Sequence, residues 1–190
     1  IVNHGISEIF RGKSLKAISS SKQIKCVYVS PINWYKNHDT LIRAFIKLND
    51  NNIKLTMVGG LEAGKPAVNA KKRIDRILKK FENNKVSQNI SLTGHISHDE
   101  MVDILNNSDI CVFASSCENM PNTLVEAMSV GLPILCSHRG PMPEVLEDGG
   151  VYFDPEDLES TVDGLKSMIY DKNAQKISSQ KSYELAKKYS

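Results

Sequence analysis

The chain has 190 residues, 24 Lys+Arg, 22 Asp+Glu and a formal net charge of +2, with 41 % hydrophobic and 24 % charged residues. These proportions suit a globular chain and exclude a disordered tail, a collagen-like repeat and a disulfide scaffold. No run approaches the roughly 20 apolar residues that a spanning helix needs. The opening IVNHGISEIF carries no signal-peptide pattern and no initiating Met, so the chain is expected to be a piece of something longer.

Residues 1–20 are expected to form a linker and domain start. IKCVYV (24–29) is rich in β-branched residues and predicts a strand. Thr40 to Leu48 sets Leu41, Ala44, Phe45 and Leu48 on one helical face. IKLTMVGG (53–60) predicts a strand ending in glycines, and a basic helix follows over 66–82. ISLTG (90–94) predicts a third strand, and HDEMVDILNN (98–107) a helix starting near Ser97 or His98. DICVFAS (109–115) is a fourth strand. NTLVEAMSVG (122–131) predicts a helix with Asn122 as N-cap and Gly131 as the stop. PILCS (133–137) is a fifth strand, MPEVLED (142–148) a short helix and VYF (151–153) a last strand. Pro155 suits the first turn of a helix through Ile169. A polar helix over 174–189 ends the chain and is expected at a neighbouring domain's surface.

Strands alternating with helices predict an α/β fold, a doubly wound parallel sheet. The strands lack strict alternation, as burial on both faces requires. The expected division is a domain over 21–172 and a C-terminal helix over 173–190.

Charge and sulfur narrow the partners. Residues 1–85 hold 17 Lys+Arg against 6 Asp+Glu, and residues 86–190 hold 7 against 16, a balance of +11 against −9. The densest basic run is Lys71, Lys72, Arg73, Arg76, Lys79, Lys80 and Lys85. A solvated helix face accounts for it, since apolar Ala70, Ile74, Ile77, Leu78 and Phe81 fall opposite; a membrane-surface contact is the second reading. Aromatics do not interleave with the run, so no nucleic-acid partner is expected. Cys26, Cys111 and Cys136 lie in apolar runs and predict core packing, whereas Cys117 falls in a loop. No C-x-x-C pair exists, and the five histidines form no ligand set by spacing, so no metal and no cofactor are expected.

In a doubly wound sheet, ligands bind beyond the carboxyl ends of the strands. The unusual residues cluster at those positions: Ser30 to His38, Gly59-Gly60, Gly94-His95, Ser115 to Thr123 and Ser137 to Pro141. The sharpest segment runs from Ser115 to Met128. Glu118 lies in a loop, and Glu126 lies on the first turns of the next helix. Between them the backbone N–H groups of Asn122, Thr123 and Leu124 are expected to point outward and accept an anion, phosphate above all. A carboxylate one turn further can accept two hydrogen bonds from a vicinal diol such as a ribose. Loop glutamates also cap helices or pair with lysines, so two spaced glutamates alone decide little.

The segment E-N-M-P-N-T-L-V-E-A-M-S-V-G-L-P-I-L resembles the E-x7-E signature of retaining GT-B glycosyltransferases of family 4 (glycosyl transferases group 1). Other segments resemble the family in the same order. Asn3-His4-Gly5-Ile6 is similar to the N-G-[VI] linker, Tyr28-Val29-Ser30 through Lys36-Asn37-His38 to G-R-x-x-x-x-K-G, and Val58-Gly59-Gly60 to V-G-x-G. Leu92-Thr93-Gly94-His95-Ile96 is similar to the L-G-x-V loop, and Arg139 to Glu144 to the G-G-x-x-E turn. The resemblance implies the C-terminal, donor-binding half of such an enzyme, without its acceptor domain.

It implies Lys36 at the donor diphosphate, Glu118 near the donor sugar and Glu126 on the ribose hydroxyls. Asn122, Thr123 and Leu124 then meet the phosphates, and Gly94, His95 and Ile96 line the base, with His95 a wall rather than a catalyst. Three positions depart from the family. Ser30-Pro31 replaces G-R, for which Arg139 is a conceivable substitute, surface pairing being its other reading; Asn119, beside Met120, replaces a glycine at the sugar pocket; Pro141 replaces the second glycine of the turn. The implied reaction is transfer of a sugar from a nucleotide diphosphate sugar, UDP-linked, to an acceptor hydroxyl with retention. The implied setting is bacterial polysaccharide, O-antigen or glycolipid synthesis, in the cytoplasm or on the inner membrane face. A glycan or lipid-linked acceptor is expected to meet the donor through the absent half. A nucleotide-sugar epimerase and a non-catalytic nucleotide-binding domain are the alternatives. A dehydrogenase is disfavoured because no G-x-G-x-x-G follows the first strand.

Overall fold

A computed structural model describes residues 23–189. The expected linker over 1–20, with Asn3-His4-Gly5-Ile6, lies outside the described residues. Six strands are present: β1 (Ile24–Val29), β2 (Ile53–Val58), β3 (Ile90–Leu92), β4 (Ile110–Phe113), β5 (Ile134–Ser137) and β6 (Val151–Phe153). Eight α-helices accompany them among the described residues: α1 (His38–Leu48), α2 (Lys65–Lys80), α3 (Lys85–Gln88), α4 (His98–Asn106), α5 (Asn122–Ser129), α6 (Met142–Leu146), α7 (Leu158–Tyr170) and α8 (Lys172–Ala186). A 3₁₀ turn over Trp34–Lys36 precedes α1, and another over Lys187–Tyr189 follows α8.

The strands form one parallel sheet in the order β3-β2-β1-β4-β5-β6. The chain moves outward from β1 to β3, then returns to lay β4 on the other side of β1. That reversal opens a crevice at the carboxyl ends of β1 and β4, where loops diverge to opposite faces. Helices cover both faces, with α1 against α2 and α7, and α5 against α8. Cys26 to Val29 and Ile110 to Phe113 are all buried, as central parallel strands must be. Cys26, Cys111 and Cys136 are buried free thiols and Cys117 is exposed.

Strand positions agree with the sequence reading, and helix ends depart from it for local reasons. Asn122 is not the N-cap of α5. Pro121 holds that position, and the helix begins without a side-chain cap bond. Gly131 follows as expected, at φ 73° with its N–H on the Met128 carbonyl. Pro155 is not in the first turn of α7. It lies in a preceding turn, and Asp157 caps the helix by accepting from the Ser160 N–H at 2.6 Å. Ser97 caps α4 in a reciprocal box with Glu100. The α8 helix packs onto this same domain. Its buried Ser178, Ser179 and Ser182 hydroxyls donate to the carbonyls of Gly149, Gly131 and Leu132.

Candidate functional site

Lys36 and Glu118 meet at the β1/β4 crevice. The Lys36 Nζ donates to Glu118 Oε1 at 2.5 Å, and both side chains are largely buried, at 7 % and 15 % exposure. The ammonium also lies 4.9 Å from the centroid of the Tyr35 ring. Lys36 is held from beneath. The buried Tyr28 hydroxyl donates to its carbonyl at 2.9 Å. A local clamp joins the two loops. Asn37, left-handed at φ 52°, donates through Nδ2 to the Ala114 carbonyl at 2.8 Å and to Ser116 Oγ at 2.6 Å. The Ser116 N–H in turn donates to the Tyr35 carbonyl at 2.8 Å.

Sequence reasoning passed over Asn37. The signal was present, because it stands where K-G has its glycine, and asparagine tolerates αL better than other non-glycine residues. It passed over Glu62 as well, which accepts from Asn33 Nδ2 and from the Tyr35 hydroxyl at 3.4 Å.

A cavity of about 470 Å³ opens at the same carboxyl end of the sheet, and Lys36, Glu118 and Glu126 are not among the residues that line it. Ser30, Pro31, Gly59, Gly60, His95, Ile96 and Thr123 contribute to its lining. Loops meet closely here: a Cβ on Gly59, at φ 145°, would lie 2.2 Å from the Ser30 carbonyl oxygen, so only glycine is accommodated. Gly94 accepts the Gly59 N–H at 3.0 Å and braces the wall rather than lining it. The α5 start is tied to β1 by Thr123 Oγ1, which donates to the Val29 carbonyl at 3.2 Å.

Glu126 follows Thr123 by one helical turn on the same face. Its Oε2 is buried and has no hydrogen-bond partner. Burial pushes its pKa up to about 7, because desolvation disfavours the charged form. His38 is buried, its ring 5.0 Å from that of Tyr28. Burial pulls its pKa down to about 4, so the imidazole is neutral at pH 7.

Two expectations are corrected. The N–H groups of Asn122 and Leu124 do not point outward unpaired. They donate to the Met120 and Pro121 carbonyls, each at 3.0 Å, because the turn through Pro121 folds back on itself. Among the three, Thr123 alone keeps an N–H without a bond inside the described residues. Arg139 is not a spare cation either. Its guanidinium donates to Asp154 Oδ2 at 2.9 Å, with Glu156 at 3.9 Å, because the loop after β6 brings two acids beside it. Asn119 is exposed, and Met120 packs half-buried against the core. Among the described residues, no group of three or more His, Cys, Asp or Glu could hold a metal ion.

The fold defines the class, a Rossmann-like doubly wound domain with polar groups at the switch point of its sheet. The sequence profile described as Glycosyl transferases group 1 matches residues 12–185, and the chain belongs to that family. It is 28 % identical over 102 residues to sulfoquinovosyl transferase SQD2 of Arabidopsis thaliana, covering 51 % of this chain and 20 % of that protein. It is 26 % identical over 187 residues to the gpi3 subunit of the phosphatidylinositol N-acetylglucosaminyltransferase of Schizosaccharomyces pombe, covering 98 % of this chain and 39 % of that one. The Anabaena protein HepE, solved in complex with UDP, superposes with a TM-score of 0.75 at 15 % identity, over 88 % of this chain and 45 % of HepE. The chain therefore spans less than half the length of each, and its fold is that of one half of the GT-B architecture.

Proposed function

We propose that this chain is the C-terminal, donor-binding half of a retaining glycosyltransferase. It takes a nucleotide diphosphate sugar, UDP-linked, and its partner half brings an acceptor hydroxyl belonging to a cell-surface polysaccharide or glycolipid. The observation that carries the reading is the meeting of Lys36 with Glu118 at the β1/β4 crevice, with a buried, unpartnered Glu126 Oε2 on the helix that follows β4, in a chain of this family. Lys36 stabilises the growing charge on the departing diphosphate, together with the Thr123 N–H. Glu126 accepts hydrogen bonds from the ribose diol, which replace the water it has lost. Glu118, released from Lys36 as the diphosphate draws the ammonium away, faces the donor sugar. His95 and Ile96 wall the base. Asn119 and Met120 shape the sugar pocket.

In the transfer itself, the bond from the anomeric carbon to the diphosphate oxygen breaks and a bond to the acceptor oxygen forms on the same face. The acceptor proton passes to the leaving diphosphate. The protein contributes position and electrostatics. HepE in complex with UDP supports the choice of nucleotide.

Titration calorimetry with UDP, GDP and their sugars tests the site. UDP binding is expected, weakened by about tenfold or more in Glu126→Gln, which loses a charge-assisted acceptor. Lys36→Ala is expected to lower turnover of the full-length enzyme by about 100-fold. Normal turnover in that variant overturns the role of Lys36. Failure to bind any nucleotide favours a non-catalytic domain, and an altered free sugar made without acceptor favours an epimerase.

A further inference from the structure

A second concave surface lies on α2, with chemistry unlike that of the donor site. A groove of about 650 Å³ is lined by Trp34, Asn69, Lys65, Lys72, Arg73 and Arg76. A smaller hollow of about 200 Å³ continues it, sharing Arg73 and Arg76 and adding Arg43 and Lys80. The register of α2 explains the stripe. Ala67, Ala70, Ile74 and Ile77 face the core, so Lys65, Lys72, Arg76 and Lys79 fall on the opposite, outward face.

Little opposes this charge. Lys71 pairs with Asp75 at 2.5 Å, and Arg73 Nε stands 3.6 Å from Asp39, beyond hydrogen-bond range. Lys65, Lys72, Arg76, Lys79 and Lys80 have no carboxylate within 4.0 Å among the described residues. Like charges one turn apart, such as Lys72 with Arg76 and Arg76 with Lys80, destabilise a helix. The arrangement therefore gains from an external anion. At the rim stands Trp34, 56 % exposed and edge-on to Tyr35 at 5.7 Å between ring centroids.

We propose that this groove seats the headgroup phosphates of an anionic lipid surface, with Trp34 at the interfacial level. Two observations favour lipid over other polyanions. The cations lie along one helix of 16 residues, ~24 Å long, an extended line that can lie on a plane. A single exposed tryptophan beside cations suits a membrane interface, whereas single-stranded nucleic acid calls for a series of stacking aromatics. The proposal stands apart from the donor-site reading, since it uses none of the same residues.

Trp34 is the one tryptophan of the sequence, so its emission reports on the groove directly. The 190-residue chain is sedimented with phosphatidylglycerol/phosphatidylcholine vesicles and with phosphatidylcholine alone, at low and high salt, with emission followed in parallel. Co-sedimentation with anionic vesicles, a blue shift, and loss of both at high salt are expected. Lys72→Gln combined with Arg76→Gln, both exposed, should weaken vesicle binding by about 30-fold without lowering the melting temperature. Equal binding to neutral vesicles, no binding, or binding indifferent to the double variant overturns the proposal. So does a spectral shift saturated by inorganic phosphate, or tighter binding to a single-stranded RNA oligonucleotide than to vesicles.

Discussion

Glu126 has lost most of its water and gained no donor for Oε2, which is why its pKa stands at about 7 instead of 4.5. The sign of the consequence is definite. A carboxyl whose folded value is raised contributes stability fully below the unfolded value, and that contribution is lost as pH rises through about 7. Glu126→Gln does not titrate, so its melting temperature should gain on the parent between pH 5 and pH 8. Parallel curves would mean that the carboxylate is not desolvated. A diol that donates to this carboxylate favours the ionised form, so UDP affinity should also rise from pH 6 to pH 8 with proton release on binding. Calorimetry in buffers of different ionisation heat reads that release. The Lys36–Glu118 pair works the other way round, since each charge there is already answered. Removing Lys36 leaves Glu118 a largely buried carboxylate without its cation, at a cost of about 3 kcal/mol. The activity loss in Lys36→Ala is therefore best read beside Lys36→Met with Glu118→Gln, which leaves no unpaired charge.

At the scale of elements, the site depends on how the segment after β1 is fastened to the segment after β4. The sheet brings those strand ends together, and Asn37 then ties the loops through two hydrogen bonds from one amide. Its left-handed backbone ends the 3₁₀ turn and starts α1 in the same residue. Asn37→Ala loses the amide, strands the Ala114 carbonyl and strains φ. About 2–3 kcal/mol of stability should be lost, measured by urea unfolding. Asn37→Gly relieves the strain and should recover part of the stability while nucleotide affinity stays low. Full affinity in both variants would show that the clamp does not position Lys36.

For the whole molecule, the relevant quantity is the coupling of the crevice to global folding. Strands β1 and β4 lie in the middle of the sheet, and their buried side chains belong to the main core. A ligand held across their ends binds only the folded chain. UDP at 100 times its Kd should therefore add about 2.7 kcal/mol, seen as a rise of several degrees in melting temperature. A melting temperature that ignores saturating UDP would place the nucleotide elsewhere. The charge asymmetry belongs to this scale as well. Seven cations of the first half, Lys65, Lys71, Lys72, Arg73, Arg76, Lys79 and Lys80, lie on α2 with Asp75 as its one acid, so that helix carries a strongly positive charge.

Periodicity, glycine placement and the E-x7-E spacing made the strands, the alternating order, the buried cysteines and the acidic segment legible in the sequence, because each is a local pattern of side chains along a short stretch. The start of α5 was misread because Pro121 and Asn122 compete for one cap position, and only the turn through Met120 shows which N–H groups are consumed. Arg139 stood open between a phosphate ligand and a surface pair, because its partners, Asp154 and Glu156, come from the loop after β6. The contact of Lys36 with Glu118 lies further still beyond local pattern. Eighty-two residues separate them, and they meet because the chain reverses its winding after β3 and sets β4 against β1. That choice is made by burial of both sheet faces at once, a free energy summed over the whole core that no stretch of sequence contains alone.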